Sequence, residues 1–263
     1  MRKNPLKAAF RQQQPIINGW LAIPSGYSAE ITGHQGYDSV TVDLQHGMID
    51  FASALSMLQA LSSTPATPLA RVNSNEPAQI MRLLDAGAWG IICPMISTAE
   101  QAQQFVSACR YPPMGTRSFG PARALLYGGK DYPEYANEEI LTLAMIETRE
   151  GLDNLDAILD TDGLDGVFIG PNDLSLTLTG HASAESQHPD MLAAVELVLA
   201  RSHAHKKLAG IFCTSGQAAA SRLAQGFQFV TPANDVMQLG RAAREAVALA
   251  RGETPTASGT SGY

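Results

Sequence analysis

Gly163-Leu-Asp-Gly-Val-Phe-Ile-Gly-Pro-Asn-Asp-Leu-Ser175 is the stretch whose reading decides the fold. Residues 166–170 are short, apolar and bounded by Asp165 and Pro171, as expected of a parallel strand buried on both faces. The run leads directly into Gly170-Pro-Asn-Asp173, a turn that opens a short helix. The free N–H groups of that turn make a small anion site suited to a carboxylate.

Working outward, the same alternation fills almost the whole chain. Strand-like runs fall at 16–23, 39–44, 68–72, 90–95, 141–147, 166–170, 209–213 and 227–230. Helical stretches lie near 27–35, 51–62, 75–87, 97–110, 151–160, 189–205, 215–225 and 233–251. Ile80, Met81, Leu83 and Leu84 give one of these an apolar face, and Gly87 follows as a stop signal. Eight strand–helix units in about 250 residues match a (β/α)8 TIM barrel. A doubly wound open sheet is the alternative, disfavoured because no GxGxxG follows the first strand. We therefore expect one α/β barrel domain over 1–251 and a small, polar tail over 252–263. Residues 110–137 break the rhythm as a long connection rich in Pro, Gly and Tyr, without clear secondary structure of its own.

Composition narrows the function. The chain has 263 residues, 45% hydrophobic and 16% charged, with a formal net charge of -7. That suits a globular protein and is a poor match to nucleic-acid binding. No stretch approaches the roughly 18 to 20 apolar residues of a membrane span. The basic N-terminus (Arg2, Lys3, Lys7, Arg11) lacks the apolar segment of a secretory signal. Cys93, Cys109 and Cys213 form no CxxC, and two of them sit inside apolar runs. Reduced core thiols in a cytoplasmic protein are the reading that follows.

In a barrel of this type the site lies at the C-terminal ends of the strands. Four polar positions qualify: Asp43-Leu-Gln-His46-Gly47 after the second strand, Arg71 after the third, Glu147 after the fifth and Asp173 after the sixth. Glu147 and Asp173, on neighbouring strands, can converge on one point and hold a hard divalent cation such as Mg²⁺ or Mn²⁺. Each acid alone could equally be a helix cap or a loop salt bridge. His46 could be structural or catalytic, with Asp43 or the more distant Asp85 orienting its ring. Arg71, as a buried guanidinium, needs either a structural carboxylate or an anionic substrate. No lysine ends a strand, which argues against Schiff-base chemistry.

These residues carry a resemblance. Met145-Ile-Glu-Thr-Arg-Glu-Gly-Leu-Asp-Asn-Leu155, together with the stretch quoted first, is similar to the signature of the HpcH/HpaI aldolase family, class II pyruvate aldolases distantly related to the citrate lyase β-chain. Pro24-Ser-Gly-Tyr-Ser-Ala-Glu30, Asp43-Leu-Gln-His-Gly47, Pro68-Leu-Ala-Arg-Val72, Leu83-Leu-Asp-Ala-Gly87 and Tyr111-Pro-Pro-Met-Gly-Thr-Arg117 match as well. The resemblance implies a lyase that reversibly cleaves a 4-hydroxy-2-oxo acid into pyruvate and an aldehyde. It implies Glu147 and Asp173 as ligands of Mg²⁺, Mn²⁺ or Co²⁺, and His46 as the catalytic histidine with Asp85 beside it. Arg71 would contact the keto oxygen, and the Asn172 and Asp173 amides the pyruvate carboxylate. It also implies that the C-terminal helix packs on a neighbouring subunit, in dimers assembling into hexamers. Gln45 stands where many members carry Glu, and Met145 where some carry Gln. A lyase acting on a CoA thioester, or a catalytically silent barrel, are the competing readings.

Overall fold

The computed structural model describes residues 2–254. Eight strands, β1 (Ile16–Leu21), β2 (Ser39–Asp43), β3 (Thr67–Arg71), β4 (Gly90–Cys93), β5 (Leu141–Ile146), β6 (Gly166–Ile169), β7 (Leu208–Cys213) and β8 (Phe229–Pro232), are all parallel and close in sequence order into a barrel. The expected (β/α)8 architecture is the observed one. Inside it Trp20, Leu69, Ile92, Leu143, Met145, Phe168, Leu208 and Phe229 fill the barrel as one cluster. A larger cluster packs the outer strand faces against the helices. Each such side chain contributes about 1.5–3 kcal/mol through burial, so the barrel rim is a rigid frame for whatever stands on it.

The helices are α1 (Pro5–Arg11), α2 (Gly26–Gly33), α3 (Phe51–Leu61), α4 (Pro77–Asp85), α5 (Ala99–Cys109), α6 (Ala122–Gly128), α7 (Tyr132–Glu139), α8 (Arg149–Asp153), α9 (Leu155–Leu159), α10 (Pro171–Thr179), α11 (Pro189–Ala204), α12 (Gly216–Gln225) and α13 (Asp235–Ala250). Five differ from the sequence reading. Helix α1 was not expected. Asn4 caps it, Pro5 opens it, and its Leu6 is buried in the interior cluster. The supposedly irregular stretch 110–137 contains α6 and α7, whose Tyr127 and Tyr132 pack on Trp89 with ring centroids 5.1 and 5.5 Å apart. The helix expected over 151–160 is two, α8 and α9, divided at Asn154, whose side chain turns away to donate to the Ser97 carbonyl (2.9 Å).

Strand β8 is displaced two residues from the run 227–230. Phe227 closes α12 by donating to the Arg222 carbonyl (3.1 Å), with Gly226 in the left-handed region at φ 108. The helix stop therefore consumes the first two residues of the apolar run. Among the described residues no helix is long and apolar enough to cross a membrane. All three cysteines are buried and free, and burial pushes the Cys109 and Cys213 thiols up to about 12. Residues 255–263 of the expected tail lie outside the described residues. Helix α13 buries only Asp235 and Met237, leaving Val236, Leu239, Val247 and Leu249 exposed.

Candidate active site

Four strand ends meet at the C-terminal rim. Asp43 and Arg71 are register partners on β2 and β3, and this adjacency builds a forked ion pair. Arg71 Nε donates to Asp43 Oδ1 (2.8 Å) and Nη2 to Oδ2 (2.6 Å). The indole of Trp20, one strand away, donates to the same carboxylate (3.1 Å), as do the amides of Gln45 (3.0 Å) and His46 (3.3 Å). Burial pushes the Asp43 carboxyl up, but Arg71, Trp20 and the His46 amide together hold it below its ordinary value. The Asp43 oxygens are taken up by Arg71, Trp20 and the turn backbone, so the carboxylate holds Arg71 and is a poor base. The guanidinium, thus fixed, lies 4.9 Å over the Trp20 ring and sends Nη1 towards the Met145 sulfur (4.0 Å).

Opposite stands Glu147, just past β5 and only 2% exposed. Its Oε2 accepts the Met95 amide (2.8 Å), which is presented by a left-handed backbone at φ 57 after Pro94 ends β4. A side chain on Gly170 would place Cβ 2.3 Å from Glu147 Oε1, so only glycine leaves that oxygen room. Burial, reinforced by the nearby Asp173 charge and opposed by the Met95 amide, pushes the Glu147 carboxyl up to about 7. Asp173 is the third residue of α10. The first ladder bond of that helix is Leu174 N to Gly170 O (3.1 Å), which leaves the Asn172 and Asp173 amides outside the helical ladder.

Two carboxylates that line one cavity, one of them raised chiefly by its burial and further by the charge of the other, are a donor set that a cation would relieve. Among the described residues no group of three or more His, Cys, Asp or Glu could enclose a metal. Oxygen-only donors such as these suit a hard divalent ion that keeps water and substrate oxygens in its shell. Between the pair and Arg71 is a cavity of about 20 Å³, walled on its apolar side by Trp20, Met145, Phe168 and Phe212. A hollow of about 750 Å³ lies under the opposite, N-terminal face, among Phe10, Arg11, Lys206 and Phe227, and none of these groups line it.

His46 sits at the rim, exposed. Burial of part of the ring and the Arg71 charge hold its imidazole below the ordinary value, against the pull of Asp43 and Asp173. It is accordingly neutral near pH 7 and able to take a proton. Asp85 ends α4, which runs from the rim back to the N-terminal face, and its carboxylate pairs with Arg117 (2.7 Å). Sequence reasoning also missed Trp20, Phe212 and Met95. Trp20 carried a signal in being a large indole in an interior strand, where the N–H requires an acceptor.

Comparison with known proteins places this geometry. The profile of the HpcH/HpaI aldolase/citrate lyase family matches residues 18–242. A hydroxypyruvate/pyruvate aldolase of Rhizorhabdus wittichii RW1 is 46% identical over 249 residues, 94% of this chain and 99% of that one. A 4-hydroxy-2-oxo-heptane-1,7-dioate aldolase of Escherichia coli is 39% identical, covering 97% of each chain. A solved HpcH/HpaI aldolase/citrate lyase family protein of Burkholderia cenocepacia J2315 superposes with a TM-score of 0.89 at 33% identity, over 94% of this chain and 99% of that one. With a profile match spanning every strand end that carries the site, this chain belongs to the HpcH/HpaI aldolase/citrate lyase family.

Proposed function

We infer that the protein is an aldolase, a carbon–carbon lyase that reversibly cleaves a 4-hydroxy-2-oxo acid into pyruvate and an aldehyde. The observation that carries this is the opposition, across one small cavity, of a rigidly forked Arg71 and the Glu147–Asp173 pair. A 2-oxo acid has the complementary layout. Its carboxylate suits the Asn172 and Asp173 amides at the start of α10, and its keto oxygen suits Arg71. The names of both curated relatives point to the same kind of substrate.

Cleavage breaks the C3–C4 bond and leaves the electron pair on the pyruvate fragment as an enolate. Arg71, pre-oriented by Asp43, stabilises the charge growing on the keto oxygen without reorganising. His46 accepts the proton of the C4 hydroxyl as that carbon becomes the aldehyde carbonyl. Trp20, Phe168 and Phe212 give the cavity an apolar wall. A divalent ion, Mg²⁺, Mn²⁺ or Co²⁺, held by Glu147 and Asp173 would supply Lewis-acid stabilisation at the same oxygens. The exposed apolar side chains of α13 support a homo-oligomer, a hexamer in the fullest form, in which a neighbouring subunit covers that helix. The three free, buried thiols support a cytoplasmic setting.

The test is an aldol-cleavage panel of 4-hydroxy-2-oxo acids after exhaustive chelation, with Mg²⁺, Mn²⁺ and Co²⁺ restored singly. Pyruvate release should vanish on chelation and return with metal. Activity that survives chelation but is lost to borohydride plus pyruvate would assign the reaction to a lysine instead.

A further inference from the structure

Asp235 opens α13 and has no part in the reaction as described. It is 8% exposed, and its Oδ1 accepts the amides of Ala22 (2.8 Å) and Val236 (2.9 Å) while Oδ2 accepts that of Ile23 (3.2 Å). Its place on the barrel explains why these bonds matter. The ladder between β1 and β8 pairs only Ile16 with Phe229 and Ile17 with Val230, and one side-chain bond, Asn18 to Thr231 (3.0 Å), lies just above. Nearer the rim, the segment after β1 is tied to the segment after β8 through the Asp235 carboxylate.

What Asp235 holds is the outer wall of the His46 turn. The Ala22 carbonyl accepts the Met48 amide (3.0 Å). A Cβ built on Gly47 would stand 3.1 Å from the Ala22 Cα and 2.2 Å from the Asp43 carbonyl oxygen, so this turn is pinched between the two segments. On its other side, Asp43 takes the amides of Gln45 and His46. His46 thus sits in a backbone clamp with two jaws, one closed by Asp43 and the other by Ala22.

We propose that Asp235 is a positioning residue for His46: its carboxylate fixes Ala22, and Ala22 fixes the Gly47–Met48 side of the turn that carries the imidazole. This rests on the reading of His46 as the base for the C4 hydroxyl. A carboxylate that merely fastened the barrel seam would act on every step alike. One that positions His46 acts on proton removal and leaves 2-oxo acid binding alone.

The experiment uses the metal-loaded enzyme with Asp235→Asn, which keeps one acceptor for Ala22 and loses the one facing Ile23. Misplacing a catalytic group by an ångström can cost about 10²-fold, so kcat for cleavage should fall by about tenfold to 10²-fold. KM and the rate of pyruvate methyl-proton exchange should stay within about twofold. In a His46→Ala background the same substitution should change kcat by less than about twofold, because the group it positions is gone. Equal losses in both backgrounds, parallel losses of cleavage and exchange, or wild-type cleavage by a folded Asp235→Asn enzyme would each overturn the proposal. Asp235→Ser, a smaller side chain with a single acceptor, gives the same comparison if the Asn enzyme does not fold. If His46→Ala itself cleaves at the wild-type rate, the reading of the histidine fails first and is recognised as that failure.

Discussion

Replacing Glu147 with Gln should make the cation-free protein more stable at alkaline pH while abolishing its activity. The native Glu147 carboxyl is held at about 7, against an ordinary value of 4.5 that the unfolded chain recovers. Between these values the unfolded chain has released a proton that the native chain retains. Stability therefore falls as pH rises from 4.5 through about 7, and the loss is complete above that. About 2.5 pH units at about 1.36 kcal/mol each amount to about 3 kcal/mol. In a chain of this size that is roughly 6–12 °C in Tm. Gln cannot ionise, yet its carbonyl can still accept the Met95 amide, so the variant escapes the loss without forfeiting that bond. Calorimetric melts of both proteins in EDTA at pH 5, 6, 7 and 8 read the difference directly, because every other titrating group is common to both and largely cancels. The Tm gap should move in favour of Gln by most of that amount between pH 5 and 8. Saturating Mn²⁺ at pH 8 should then raise the wild type alone. Melting temperatures that stay parallel across the whole range would refute the reasoning, since Glu147 would then ionise as an ordinary carboxylate.

Three further outcomes follow from the same geometry. Gly170→Ala drives a methyl group to 2.3 Å from Glu147 Oε1; metal affinity, read by titration calorimetry, should fall by at least about tenfold with the circular-dichroism spectrum unchanged. Asp43→Ala leaves the Arg71 guanidinium buried without its forked partner, which should cost about 3–5 kcal/mol in denaturant unfolding, whereas Arg71→Lys should spare most of that stability and lose turnover, because an ammonium cannot reproduce the fork.

Much of this molecule is readable from its residues, for physical reasons that also mark the limits. Buried parallel strands must be apolar on both faces, so runs such as 141–147 announce themselves, and the polar residues that end them, Arg71 and Glu147, stand out by contrast. What the chain alone does not show is which partner a polar group finds. Asp43 is three residues from His46 and 28 from Arg71, yet register on β2 and β3 gives its carboxylate to the arginine. Asp85 is 32 positions from Arg117, and only the fold brings the two together as an ion pair. Helices α6 and α7 were hidden because their anchor, Trp89, lies on a distant segment. The β8 error arose where one apolar run served both a helix stop and a strand start.

The seam between β1 and β8 bears on how the chain is made. Ala22 and Asp235 are 213 positions apart. A ribosome adding about 5–20 residues per second needs roughly 10–40 s to supply the second after the first. Throughout that interval β2 covers one side of β1 while the other side offers unpaired N–H and C=O groups, the template on which a foreign strand can add. Strands β2 to β7 can assemble one by one as they emerge, each on its predecessor. The first strand alone must wait for the last, so mispairing during synthesis, and the need for a chaperone's protection, should concentrate on that single edge.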